Sequence, residues 1–144
     1  MNILITGSCG MLGQYLCKHL AKKNNIFKIS KKNIIEDQYL SIDFLDFKYN
    51  SIRKLKKFVQ PDIIIHAAAL TNVDLCEKDQ LIAKKINYDS TKKLIKIFEG
   101  VKIIFISSDA VFGEKAERFE YSDVSPINYY GKTKVLSELH ACNK

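Results

Sequence analysis

No two cysteines of this chain are spaced to share a metal or a redox disulfide: Cys9, Cys17, Cys76 and Cys142 lie far apart, and the three histidines are scattered. Neither a zinc site nor a disulfide framework is signalled, so no metal is expected and the thiols read as buried or incidental. There is also no uninterrupted apolar run near the roughly 18 residues that a membrane-spanning helix needs. The opening MNILITGSCG lacks the basic segment and cleavage site of a secretory leader, so the expectation is a cytoplasmic protein without a membrane partner. Arginine is scarce. Of the 23 basic residues 21 are lysines spread along the chain, and no basic recognition helix or aromatic-basic RNA motif collects them. The net charge of +7 therefore reads as a lysine-rich solvated surface, with anionic small molecules as the alternative and nucleic acid disfavoured. Repeats, low-complexity tracts and linkers are absent too. The 144 residues, 47% hydrophobic, suit one domain with a real core.

What is present is an alternation. Short apolar runs over 2–6, 26–30, 38–43, 62–69 and 101–108 read as strands. Between and after them, helical spacing marks 11–20, 52–59, 79–98 and a final segment from Pro126 to about Cys142. Pro126 suits the first turn of that last helix, and the polar stretch 109–125 reads as a loop. Strands alternating with helices predict an α/β fold, a parallel sheet with helices on both faces.

The turn after the first strand, TGSCGMLG, places Gly7, Gly10 and Gly13 in a G-x-x-G-x-x-G pattern. Glycines there allow a tight turn and close approach of a pyrophosphate to free N–H groups at a helix start. They could equally serve the turn alone. Gly13 is followed by Gln14 and Tyr15 rather than by Lys and a hydroxyl residue, which disfavours a nucleoside triphosphate. At the end of the second strand, where an acidic residue would bind the ribose diol of NAD, stand Ser30, Lys31 and Lys32. A hydroxyl and two ammonium groups favour the 2′-phosphate of NADP. The competing reading is two lysines on an exposed turn, with Glu36 and Asp37 close behind.

Near the C-terminus NYYGKTK sets Tyr130 four positions before Lys134, on one helical face, with Tyr129 turned away. With the glycine loop, PDIIIHAAALTNVDLCE, ISSDAVF and INYYGKTK in order, the whole chain resembles the extended short-chain dehydrogenase/reductases, and within them the dTDP-4-dehydrorhamnose reductase family. The resemblance implies a Rossmann-like parallel sheet of order 3-2-1-4-5, NADP(H), or NAD(H), as cofactor and a 4-keto nucleoside-diphosphate sugar as substrate, reduced to the alcohol in nucleotide-sugar biosynthesis. It assigns Gly7, Gly10, Met11, Leu12 and Gly13 to the pyrophosphate, Asp43 and Phe44 to the adenine, and Ala67, Ala68, Ala69 and Leu70 to the nicotinamide side. For Asp43 a strand-end cap or a surface charge, and for the alanines simple packing, are the competing readings.

The same resemblance makes Ser108, Tyr130 and Lys134 the catalytic set. Ser108 and Asp109 would meet the substrate, Tyr130 would give a proton to the developing alkoxide, and Lys134 would hold the nicotinamide ribose. A neighbouring Lys134 ammonium is expected to lower the Tyr130 pKa. Asn87 resembles a family asparagine with a proton-relay or structural role. One departure is Ala110, where the reductases usually carry a tyrosine, which leaves the exact substrate open. Because the chain ends on the catalytic helix, it reads as the cofactor-binding part of a longer reductase, lacking the C-terminal strands and the substrate subdomain. The alternatives are a non-catalytic dinucleotide-binding module or regulatory subunit, or another extended short-chain reductase or epimerase. An unfinished sheet edge would favour a homodimer.

Overall fold

The computed structural model describes residues 1–114, 119 and 123–142. Its apolar runs become five strands: β1 (Asn2–Thr6), β2 (Asn25–Ser30), β3 (Tyr39–Ser41), β4 (Ile63–His66) and β5 (Lys102–Phe105). They form one parallel sheet, as the alternation of elements predicts, in the order β3-β2-β1-β4-β5 that the resemblance implies. The helices are α1 (Met11–Leu20), α2 (Tyr49–Phe58), α3 (Val73–Lys78), α4 (Gln80–Lys84), α5 (Ser90–Ile97) and α6 (Tyr129–Cys142).

Successive strand residues point to opposite faces, so β1 feeds two cores. Leu4, paired with Phe27 and Ile64, packs with Ile29 against Leu55 of α2 and Leu94 of α5. Ile3 and Ile5 face the other way with Ile26 and Ile65, against Leu16 and Leu20 of α1. Leu4 and Ile5 are fully buried, each worth about 1.5–3 kcal/mol of hydrophobic stabilisation. A central strand apolar on both faces is what a doubly covered parallel sheet requires.

Several boundaries differ from the sequence expectation: β4 and β5 stop three residues short of 69 and 108, α2 starts three residues before 52, and three further differences have a visible cause. The helix expected over 79–98 is interrupted by a π-helical turn at Lys85–Asp89, and α3 precedes it. The π turn carries Asn87, whose buried side chain is bound on both its oxygen and its nitrogen. The last helix begins at Tyr129, not Pro126, because Asn128 Oδ1 accepts the Gly131 N–H at 2.7 Å and starts the helix there. The third strand is short: Gln38 takes a φ of 58° at one end, and Asp43 turns the chain into a 3-10 segment, Phe44–Asp46, at the other. Of the loop expected over 109–125, residues 115–118 and 120–122 lie outside the described residues. The described part opens with a 3-10 turn, Asp109–Val111.

Candidate functional site

All the loops singled out in the sequence leave the C-terminal ends of the strands, where β1 stands between β2 and β4 and the chain's connections diverge to opposite sides. Such a switch point opens a crevice at the sheet edge.

The three glycines of the first loop have different physical reasons. Gly7 has φ +69°, and a Cβ there would lie 2.8 Å from the Ala68 nitrogen; a Cβ on Gly13 would lie 2.1 Å from the Gly7 carbonyl oxygen. Both are demanded by packing, ligand or not. A Cβ on Gly10 would meet only the Gly7 oxygen, at 3.2 Å. Gly10 also caps α1 without a side-chain hydrogen bond, leaving the helix start to its own N–H groups and dipole. Met11 is 93% exposed and Leu12 is exposed, so both are available to a ligand over this loop.

Beside it, Ser30 is buried and Lys31 and Lys32 are exposed at the end of β2. Glu36, the first carboxylate after that strand, is engaged by Lys28. Asp43 accepts the Leu45 N–H at 2.9 Å and caps the 3-10 turn, so the capping role holds for it. The Phe44 ring has a packing role. It is buried edge-on to Phe47 and His66, because an aromatic side chain at that position completes the core.

The 67–70 segment is held from both sides. The Ala68 N–H donates to Thr6 Oγ1 at 3.2 Å, and the Thr6 hydroxyl in turn meets His66 Nδ1 at 2.7 Å. His66 Nε2 reaches Thr91 Oγ1 at 2.9 Å, and Thr91 donates to the Asn87 carbonyl at 2.5 Å. With Thr6 donating, the ring carries its proton on Nε2. Burial, aided by the Lys134 charge, pushes the His66 pKa down to about 3, so the ring is neutral. Asn87 Oδ1 accepts the Leu70 N–H at 2.7 Å while Nδ2 donates to the Leu70 carbonyl at 3.1 Å and to Thr133 Oγ1 at 3.0 Å. These bonds make Asn87 a brace between the 67–70 segment and α6.

Ser108 and Tyr130 are brought together by a residue the sequence reading passed over. A Cβ on Gly131 would fall 2.1 Å from the Ala110 carbonyl oxygen, so only glycine lets α6 lie this close to the turn after β5. Tyr130 is 8% exposed, and burial pushes its phenol up while the Ser108 hydroxyl works in the opposite direction. The expected lowering by Lys134 is not found. The Lys134 ammonium donates instead to the Ile106 carbonyl and sits 4.1 Å over the Phe105 ring, and burial brings its pKa down to about 8. Ser108 Oγ also contacts Asp109 Oδ1 at 3.2 Å.

With this geometry in view, the comparisons decide the family. Residues 1–143 match the family model for the RmlD substrate binding domain. The chain belongs to that family. It is similar to dTDP-4-dehydrorhamnose reductase of Escherichia coli, 32% identical over 100% of this chain and 48% of that protein. It is also similar to methionine adenosyltransferase 2 subunit beta of Bos taurus, 30% identical over 95% of this chain and 41% of that protein. Among solved structures it superposes on dTDP-4-dehydrorhamnose reductase of Bacillus anthracis in complex with NADP, with a TM-score of 0.83 and 30% identity over 99% of this chain and 49% of that one. The chain thus spans about half the length of the curated relatives it matches.

The RmlD-type crevice has places that a dinucleotide would fit. Gly10 leaves room over a helix start, and Ser107 Oγ is buried at the end of β5 without a hydrogen-bond partner among the described residues. An orphaned hydroxyl beside Ser108 is what a bound polar group would satisfy. Gly131, Thr133 and Ser107 were not singled out from sequence. Only Gly131 had a local signal, as a glycine inside a helical pattern, which marks close packing.

Proposed function

We propose that this chain is the cofactor-binding and proton-donating part of an NADP-dependent reductase acting on a 4-keto nucleoside-diphosphate sugar. The observation that carries the reading is the convergence of Ser108 and Tyr130, locked by the Gly131–Ala110 contact, at the same sheet edge as the glycine loop. Gly10 and the start of α1 would hold the pyrophosphate, residues 67–70 and Lys134 the nicotinamide end, and Ser30, Lys31 and Lys32 the 2′-phosphate. The bound cofactor would supply the hydride.

The chain's own residues handle the proton and the oxygen. Ser108 donates a hydrogen bond to the substrate ketone and fixes it. Tyr130, kept protonated by burial, gives its phenolic proton to the alkoxide that forms as the carbonyl carbon is reduced. Lys134, charged below its pKa of about 8, places a positive charge under the site. With the full reading frame expressed, NADPH oxidation by a 4-keto nucleotide sugar is expected. Tyr130→Phe should lower kcat by about 10²-fold or more while leaving NADPH affinity near wild type. Full turnover in that variant refutes the role of Tyr130.

The similarity to a methionine adenosyltransferase subunit supports a second reading, a dinucleotide-binding subunit without turnover. Saturable NADPH binding with no oxidation of NADPH by any nucleotide sugar would favour it.

A further inference from the structure

The stretch NVDLCE, residues 72–77, carries part of the family resemblance, yet the proposed chemistry uses none of its side chains. It forms α3 and its cap: Asn72 Oδ1 accepts the Leu75 N–H at 2.8 Å and starts the helix. The fully buried Cys76 thiol donates to the Leu70 carbonyl at 3.4 Å, which ties α3 to the 67–70 segment. Cys76 also shares a buried cluster with Tyr130, against which Leu70, Ala110 and Tyr129 pack. At the end of the stretch, Glu77 Oε1 accepts the backbone N–H of Tyr129, 52 residues further along the chain. One short helix thus touches both the 67–70 segment and the start of α6.

The first N–H groups of a helix find no carbonyl in a preceding turn. In α6 these groups surround Tyr130. The Gly131 N–H is taken locally by Asn128 Oδ1, and the Tyr129 N–H is taken by Glu77, so the amides on both sides of Tyr130 are held. A carboxylate at the positive end of the helix dipole also makes a charge-assisted bond. In sequence Glu77 reads as a solvated charge on an exposed helix. Its side chain is exposed, but its carboxylate is engaged on another helix.

We propose that Glu77 is a positioning residue for the proton donor: by holding the Tyr129 amide it sets the first turn of α6, and with it the approach of the Tyr130 phenol to Ser108. The inference rests on the proton-donor reading of Tyr130. Without the carboxylate the first turn frays, and a small displacement of a reacting group is costly in rate.

The test uses Glu77→Ala, Glu77→Gln, Tyr130→Phe and the Glu77→Ala/Tyr130→Phe double variant of the protein expressed from the full reading frame. Glu77→Ala should lower kcat about tenfold with NADPH affinity changed less than about twofold, and Glu77→Gln, which keeps an acceptor, should recover most of that loss. In the Tyr130→Phe background Glu77→Ala should cost less than about twofold more, because it acts through Tyr130. Amide hydrogen exchange supplies a readout independent of turnover: the Tyr129 N–H should exchange about tenfold faster in Glu77→Ala. An unchanged kcat or unchanged Tyr129 exchange in Glu77→Ala, a Gln variant as impaired as the Ala variant, or an undiminished loss in the Tyr130→Phe background would overturn the positioning role while leaving the proton-donor reading intact. So would equal losses in kcat, NADPH affinity and unfolding midpoint, which mark general destabilisation. Full turnover in Tyr130→Phe alone, or none in wild type, would overturn that reading and the inference with it.

Discussion

Tyr130 and Lys134 have the spacing that places both on one helical face, but the structure divides their work. Lys134 is 3% exposed and turned toward the Ile106 carbonyl and the Phe105 ring, so its charge serves the floor of the crevice rather than the phenol. A lysine whose pKa is brought down to about 8 loses its positive charge as pH rises through that value. NADPH affinity should therefore decline above pH 8, and Lys134→Met should abolish this step; a titration series from pH 6.5 to 9.5 checks it. His66 gives the opposite signature, in stability. Its folded pKa of about 3 lies below the ordinary 6.5, so its contribution is complete above pH 6.5 and is lost as pH falls from there toward 3. Over that window the unfolded chain binds a proton that the folded chain refuses, and stability should fall by up to about 1.4 kcal/mol per pH unit. Urea unfolding at pH 7, 6 and 5 measures the slope, which His66→Asn should flatten. From sequence, His66 was only one of three scattered histidines, because its role depends on Thr6 and Thr91 arriving from other elements.

At the level of elements, strands and helices were legible because apolar spacing reports directly on which face is buried. The alternation gave the parallel sheet, while its strand order came from the resemblance carried by the ordered motifs. Capping and packing between distant segments were not legible: the π turn at Lys85–Asp89 answers to Leu70 and Thr133, which no local window contains. The same holds for Gly131. Adding a methyl there drives it into the Ala110 carbonyl, so Gly131→Ala should destabilise the protein by about 1–3 kcal/mol through overpacking. It should also reduce turnover by separating Ser108 from Tyr130. Denaturation midpoints and kcat measured on the same samples check both effects. Gly100, with φ +85° and open space around it, is a useful contrast, since Ala there strains the backbone without touching the site.

The whole molecule is a parallel sheet with its chemistry at one end. A hollow of about 500 Å³ lined by Phe98, Val101, Lys102, Ile103 and Ala141 lies at the opposite end, by the start of β5, and holds none of the proposed catalytic groups. On β5, the last strand of the sheet, Ile104 is 42% exposed, and self-association through that edge is the form the expected homodimer would take. The chain covers about half of its curated relatives, so the sugar-binding side of the account rests on the reading proposed above, while the dinucleotide crevice lies within the chain itself. Titrating the protein with NADPH and NADH, followed by nicotinamide fluorescence, tests that crevice most directly. The account predicts saturable NADPH binding, tighter than NADH by about tenfold and weakened by salt, because a 2′-phosphate adds charge-assisted bonds to Ser30, Lys31 and Lys32. No affinity for either nucleotide would contradict it.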